Sequence, residues 1–145
     1  MENFIAYNPT KLHFGKEIIE KLGRTIRKYG RKVLLVYGGG SIKKNGLYDQ
    51  VMEQIKVAGI DVFEYGGIRP NPIIEDVDAA ASLGKQKEVD LVLAVGGGSV
   101  IDSAKVISVT IPVDHSGWDF MKGKAVPETA VPLVGILTLA ATGTE

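Results

Sequence analysis

At 145 residues the chain has the usual size of one domain, long enough for a single core and short for an enzyme that holds both cofactor and substrate. Lysine plus arginine balance aspartate plus glutamate at 17 each, so no net field draws the chain to nucleic acid or anionic lipid, and the expected partners are small molecules or copies of itself. Cysteine is absent, which excludes disulfides, thiolate metal sites and a cysteine nucleophile. The start, Met1-Glu2-Asn3-Phe4, lacks a basic stretch before an apolar run, and no uncharged segment is long enough to span a bilayer, so a cytoplasmic protein is expected.

In chain order, Phe4-Ile5-Ala6-Tyr7 and Lys11-Leu12-His13-Phe14 flank Asn8-Pro9-Thr10, and the turn at Asn-Pro predicts a small N-terminal β-hairpin. Ile18, Ile19, Leu22 and Ile26 recur at helical spacing, predicting an amphipathic helix that stops near Gly30. The continuous apolar run 33–37 predicts a strand covered on both faces, ending in Gly38-Gly39-Gly40-Ser41. Leu47, Val51, Ile55 and Ala58 share one face of a helix ended by Gly59, and Ile60 to Tyr65 is a second strand. Past Pro70-Asn71-Pro72, a helix carrying Ile74, Val77, Ala81 and Leu83 is expected to end by Gly84. Asp90 to Val95 is a third buried strand, again ending in glycines, Gly96-Gly97-Gly98-Ser99. A helix from Val100 to about Thr110, an irregular stretch around Trp118 and a last strand from Val131 to Leu137 complete the alternation. The expected fold is one α/β domain over 1–145 with a mostly parallel sheet flanked by helices.

Glycine at the carboxyl end of a parallel strand permits left-handed backbone and close approach of a ligand, and in such sheets this is the edge where ligands bind. The helix after it presents unpaired N–H groups and a positive dipole end, a seat for phosphate. Ser99 and Asp102 fit a capping box, with Ser99 at the N-cap. One glycine cluster alone can be no more than a tight turn; two on parallel strands weigh toward a ligand. Neither matches the G-x-G-x-x-G spacing, and no G-x-x-x-x-G-K-[ST] is present. His13 and His115 stand far apart, with no partner at ligand spacing, and are read as structural or surface residues. Trp118, Phe120 and Met121 form an apolar cluster read as local core, with a cover for the cofactor cleft or a face for a further domain as the alternatives.

Tyr37-Gly38-Gly39-Gly40-Ser41 followed by Ile42-Lys43-Lys44-Asn45-Gly46, then Pro70-Asn71-Pro72, the block Gly96 to Lys105 and Leu137-Thr138-Leu139-Ala140-Ala141-Thr142-Gly143-Thr144-Glu145 stand in the order and spacing of a known family. Over its whole length the chain resembles the N-terminal domain of the iron-type (group III) alcohol dehydrogenases, nearest to the butanol dehydrogenase branch. The resemblance implies a dehydroquinate synthase-like dinucleotide-binding domain in which Gly97, Gly98 and Ser99 hold the pyrophosphate and Asp102 lies near the nicotinamide. Thr138, Leu139 and Thr142 would line the adenosine and ribose, with Asn71 a further contact or simply a turn between prolines. Where family members that use NAD commonly carry an aspartate, this chain has Gly38. With Gly39, Ser41 and either Lys43 or Lys44 that leaves room and charge for a 2′-phosphate, so NADP is the expected cofactor and NAD the alternative. The resemblance also implies hydride transfer between a primary alcohol or aldehyde and nicotinamide, with a divalent metal, Fe2+ or Zn2+, as Lewis acid. In the family one aspartate and three histidines of a helical C-terminal domain hold that metal; the chain is therefore expected to be a fragment that binds cofactor, contributes no metal ligand or catalytic residue, is inactive alone and tends to associate as a homo-oligomer. The alternatives are a stand-alone nucleotide-binding module, or the cofactor domain of a glycerol dehydrogenase or dehydroquinate synthase relative.

Overall fold

A computed structural model describes residues 5, 7–141 and 143–144. Four strands form one parallel sheet: β1 (Lys32–Tyr37), β2 (Asp61–Tyr65), β3 (Leu91–Gly96) and β4 (Leu133–Leu137), in the order β2-β1-β3-β4. β1 and β3 are the inner strands, and from Val33 to Tyr37 and from Leu91 to Gly96 every residue is buried. Their unbroken apolar runs arise because helices cover both faces.

The face of Leu34, Val36, Val92 and Ala94 packs on α4 (Ile74–Lys87) and α5 (Gly98–Thr110) through Val77, Ala81, Ala104 and Ile107. The opposite face, with Val33, Leu35, Leu91 and Leu93, packs on α1 (Leu22–Ile26), α2 (Ser41–Lys44) and α3 (Leu47–Val57). A short 3-10 turn, Ile18–Lys21, leads into α1, and α6 (Trp118–Met121) is a single turn in the stretch before β4. Among the described residues no helix is long and apolar enough to cross a membrane.

Three expectations are corrected. The described residues before the 3-10 turn form no strand, and Tyr7, Leu12 and Phe14 are 85%, 78% and 93% exposed, packed against nothing that would hold a hairpin. The other half of the expected hairpin, Phe4 and Ala6, lies outside the described residues. Gly84 does not end α4. It is buried inside the helix because an added Cβ would sit 2.8 Å from Ile111 Cδ1 and 3.2 Å from Leu34 Cδ2, so the glycine lets α4 approach α5 and the sheet. The helix stops at Glu88, in left-handed conformation at φ 52°, with Val89 N–H returning to the Gly84 carbonyl. Finally, Ser99 is not an N-cap: α5 begins one residue before it, capped by Gly97 in extended backbone, whose carbonyl accepts from Val100 and Ile101.

Candidate cofactor site

The strand order places a reversal between β1 and β3: β1 is followed by a strand on one side, β3 by a strand on the other. The connections therefore part above the carboxyl ends of these two strands and leave a crevice, the general ligand position of open parallel sheets. Apart from Asp102, which lies one turn into α5, the described candidate site residues follow the carboxyl ends of the strands. Gly38, Gly39 and Ser41 follow β1, Asn71 follows β2, Gly97, Gly98 and Ser99 follow β3, and Thr138 and Leu139 follow β4. Thr142 lies outside the described residues.

Backbone hydrogen bonds tie the exits in two pairs, β1 with β2 and β3 with β4. Gly67 N–H donates to the Gly38 carbonyl and Ile68 N–H to that of Tyr37, both at 3.1 Å, which draws the segment leading to Asn71 against the end of β1. Thr138 N–H donates to the Gly96 carbonyl at 2.9 Å, tying the exit of β4 to that of β3. Lys105 on α5 donates to the Thr144 carbonyl and holds the far end of the 138–144 segment against the helix. Asn71 itself is exposed in left-handed backbone at φ 56°, so the structure shows the turn between prolines.

The two glycine turns do different physical work. After β1, Gly40 takes φ 110° and swings the chain into the four-residue α2. After β3 no left-handed residue occurs, and the chain runs straight into the 13-residue α5. An added Cβ at Gly39, Gly40 or Gly97 would meet nothing within 4 Å, so packing does not require glycine there and the backbone lies open to the crevice. Gly96 is the contrary case, since its Cβ would press on Val100 Cγ2 at 2.6 Å. The first N–H groups of α5, at Gly98 and Ser99, precede any intrahelical acceptor, and no side chain caps them. They point a donor pair and the positive dipole end at the crevice, a combination that suits an anionic group such as a pyrophosphate. Asp102 is exposed one turn further along α5.

Beside the β1 exit lies a cluster that local sequence reading does not find. Tyr37 and Tyr48 donate to the two oxygens of Glu64, at 3.1 and 2.8 Å, and Lys43 sits over both rings. The Tyr37 phenol holds the Lys43 ammonium above lysine's ordinary range, while burial and the Glu64 carboxylate raise Tyr48.

Away from the crevice, a groove of about 280 Å3 opens near the carboxyl end of α5. Its polar groups are spent internally: Asp78 accepts from Ser116 Oγ at 2.6 Å and Gly117 N–H at 2.8 Å, and Lys85 donates to the Val113 carbonyl and to Asp114. His115 packs edge-on against Phe120, their centroids 4.8 Å apart, while Trp118 and Met121 are 46% and 57% exposed, so the expected local core there is only partly formed. Among the described residues no three of His, Cys, Asp and Glu are grouped to hold a metal ion.

The chain is 49% identical over 145 residues to the probable NADH-dependent butanol dehydrogenase 1 of Bacillus subtilis (strain 168), covering 100% of this chain and 38% of that protein. To the NADPH-dependent aldehyde reductase YqhD of Escherichia coli (strain K12) it is 42% identical over 149 aligned positions, again covering 100% of this chain and 38% of the relative. The crystal structure of NADH-dependent butanol dehydrogenase A from Thermotoga maritima superposes with a TM-score of 0.95 at 48% identity, over 99% of this chain and 36% of that one. The chain thus spans well under half the length of these relatives. The model of the family described as iron-containing alcohol dehydrogenase matches residues 9–145, and the chain belongs to that family.

Proposed function

We propose that this chain supplies the dinucleotide-binding part of a metal-dependent oxidoreductase that interconverts primary alcohols and aldehydes, and that it binds NADP in preference to NAD. The observation that carries the reading is the crevice at the strand reversal, where two open glycine turns and the uncapped N-terminus of α5 converge. A pyrophosphate would lie against Gly97, Gly98 and Ser99, accepting their backbone N–H groups. Asp102 would stand on the nicotinamide side, and Thr138, Leu139, Thr142 and Asn71 would border the adenosine half. Gly38, Gly39 and Ser41 would leave room for a 2′-phosphate and offer it a hydroxyl donor.

Bound nicotinamide supplies the hydride chemistry of such a reaction. This chain's residues bind and orient it; the metal that the family's description names finds no ligand group among the described residues. Relatives' names divide between NADH and NADPH, so the NADP preference rests on the chemistry of the Gly38–Ser41 turn. We further propose a cytoplasmic setting, in keeping with the absence of cysteine, and association between copies through exposed Tyr7, Leu12 and Phe14.

Titration with NADPH and NADH, followed by nicotinamide fluorescence, tests the reading. Saturable binding of both with NADPH tighter is expected. Absence of binding would overturn the dinucleotide assignment, and NADH binding at least as tightly would overturn the preference. Sedimentation across a concentration series tests association, with a monomer throughout as the refuting result.

A further inference from the structure

Glu64 is the penultimate residue of β2, the strand after the first glycine turn. A carboxylate near the adenosine ribose accepts its hydroxyls and so favours NAD, and its negative charge disfavours a 2′-phosphate. Here both carboxylate oxygens are engaged, Oε2 by the Tyr37 hydroxyl at 3.1 Å and Oε1 by the Tyr48 hydroxyl at 2.8 Å. The two rings meet edge to face, centroids 5.9 Å apart, and the Lys43 ammonium lies 5.0 Å from one centroid and 4.6 Å from the other. Tyr37, one of the two rings beneath the ammonium, immediately precedes Gly38, so this cation sits beside the exit of β1. Ring contact uses the charge and the ring face; it leaves ammonium N–H donors available to an incoming oxyanion. Lys44 has no comparable ring or carboxylate partner among the described residues.

We propose that Tyr37, Lys43, Tyr48 and Glu64 together set selectivity at the adenosine 2′ position. The two phenols each donate to one oxygen of the Glu64 carboxylate, and their rings hold the Lys43 ammonium at the exit of β1, where it receives a 2′-phosphate. Lys43 is the contact residue; the tyrosines and Glu64 position it. This rests on the dinucleotide reading above and deepens it by choosing between the two lysines.

Adenosine 2′,5′-bisphosphate and 5′-AMP are the probes, titrated calorimetrically against the intact chain and variants whose melting curves match it. Lys43→Met is expected to weaken the bisphosphate about 10-fold, or ~1.4 kcal/mol, with AMP unchanged, while Lys44→Met moves neither. Tyr48→Phe, at a half-buried position, releases one Glu64 oxygen and loosens the cation. It should lower the ratio of bisphosphate to AMP affinity in the same direction, an effect that general loosening of the fold would not produce. Equal effects of the two lysine variants, parallel loss of both ligands in Lys43→Met, or an unchanged ratio in Tyr48→Phe would overturn the proposal. Should the unaltered chain bind AMP and the bisphosphate alike, the selectivity assignment fails while the dinucleotide reading stands; should it bind neither, both fall.

Discussion

The adjacent glycines at the end of β3 allow folding and binding to be separated by one methyl group. At Gly97 the backbone has φ −85° and ψ −169°, extended geometry that alanine adopts without strain, and its Cβ would meet nothing within 4 Å. Gly97→Ala should therefore leave stability unchanged or raise it by about 0.4–1 kcal/mol, through the smaller entropy of the unfolded chain. At Gly96 the added Cβ would lie 2.6 Å from Val100 Cγ2 and 2.9 Å from Val100 Cβ. The second atom is fixed to the α5 backbone, so rotation of Val100 gives no relief, and α5 must shift at a cost of about 1–3 kcal/mol. At roughly 3 °C per kcal/mol for a domain of this size, Gly96→Ala should melt some 3–9 °C lower and Gly97→Ala at or slightly above the unaltered chain. Binding should invert the order. A methyl group at Gly97 fills the approach to the free N–H pair of α5, and NADPH affinity should fall by about 10-fold or more, ~1.4 kcal/mol, despite intact folding. Paired thermal melts and NADPH titrations make the check. If Gly97→Ala binds NADPH as tightly as the unaltered chain, the open backbone is not where the pyrophosphate lies.

Asp90 Oδ2 accepts from Arg31 and Lys32 N–H at 2.7 and 2.9 Å, and these backbone donors hold its carboxyl below the usual carboxylate range. The folded value is the lower one, so the stabilisation is complete above the unfolded value of about 3.9 and is lost as pH falls through the folded value. Urea melts should show a steeper acid-side decline than those of Asp90→Asn, which keeps the contributions of Asp76 and Asp114, with ~1 kcal/mol lost at neutral pH after allowance for the group's exposure; coincident acid limbs would refute the assignment. Gly30→Ala would set a Cβ 2.2 Å from Asp90 Cβ, and should cost about 1–3 kcal/mol and remove the same acid dependence; a melt equal to that of the unaltered chain would count against it. Asp78→Ala strips the acceptor of Ser116 and Gly117, so amide exchange at Gly117 should accelerate with ~1–3 kcal/mol of stability lost, and unchanged protection there would show the contact to be dispensable.

The elements that sequence made legible are those whose signal is local. Runs such as Leu91 to Val95 have no polar face to offer water, and only a strand between two helical layers accommodates them. The misread features are those decided by a distant neighbour. Gly84 looks like a stop until Ile111 and Leu34 are brought against it, after which it is the residue that lets a continuous helix pass. Ser99 and Asp102 have capping-box spacing, by contrast a local misreading, since the carbonyl of Gly97 takes the N–H groups of Val100 and Ile101 and the helix starts ahead of Ser99. The position of the glycine turns at the carboxyl edge of the sheet was legible because glycines at strand ends are both a local signal and a topological one. Its aromatic flank was not, since Tyr37, Lys43, Tyr48 and Glu64 come from a strand, two helices and a neighbouring strand, and become one cluster only once β1 and β2 pair.

The two Gly-Gly-Gly-Ser segments illustrate how identical residues acquire separate roles from the helices they lead into. Beyond β1, the left-handed Gly40 turns the chain into α2, a helix too short for a substantial macrodipole, and the charge delivered at that exit comes instead from Lys43 on its aromatic support. Beyond β3, extended Gly97 feeds a 13-residue helix whose aligned peptides supply the charge themselves, with backbone donors and no side chain. On the proposed reading, one exit would receive an anion by backbone and the other by side chain, on either side of a single crevice. That division suits a ligand carrying a phosphate pair near its middle and a variable group at one end. It also predicts that substitutions at Lys43 alter which dinucleotide is chosen, whereas substitutions at Gly97 alter whether any is bound.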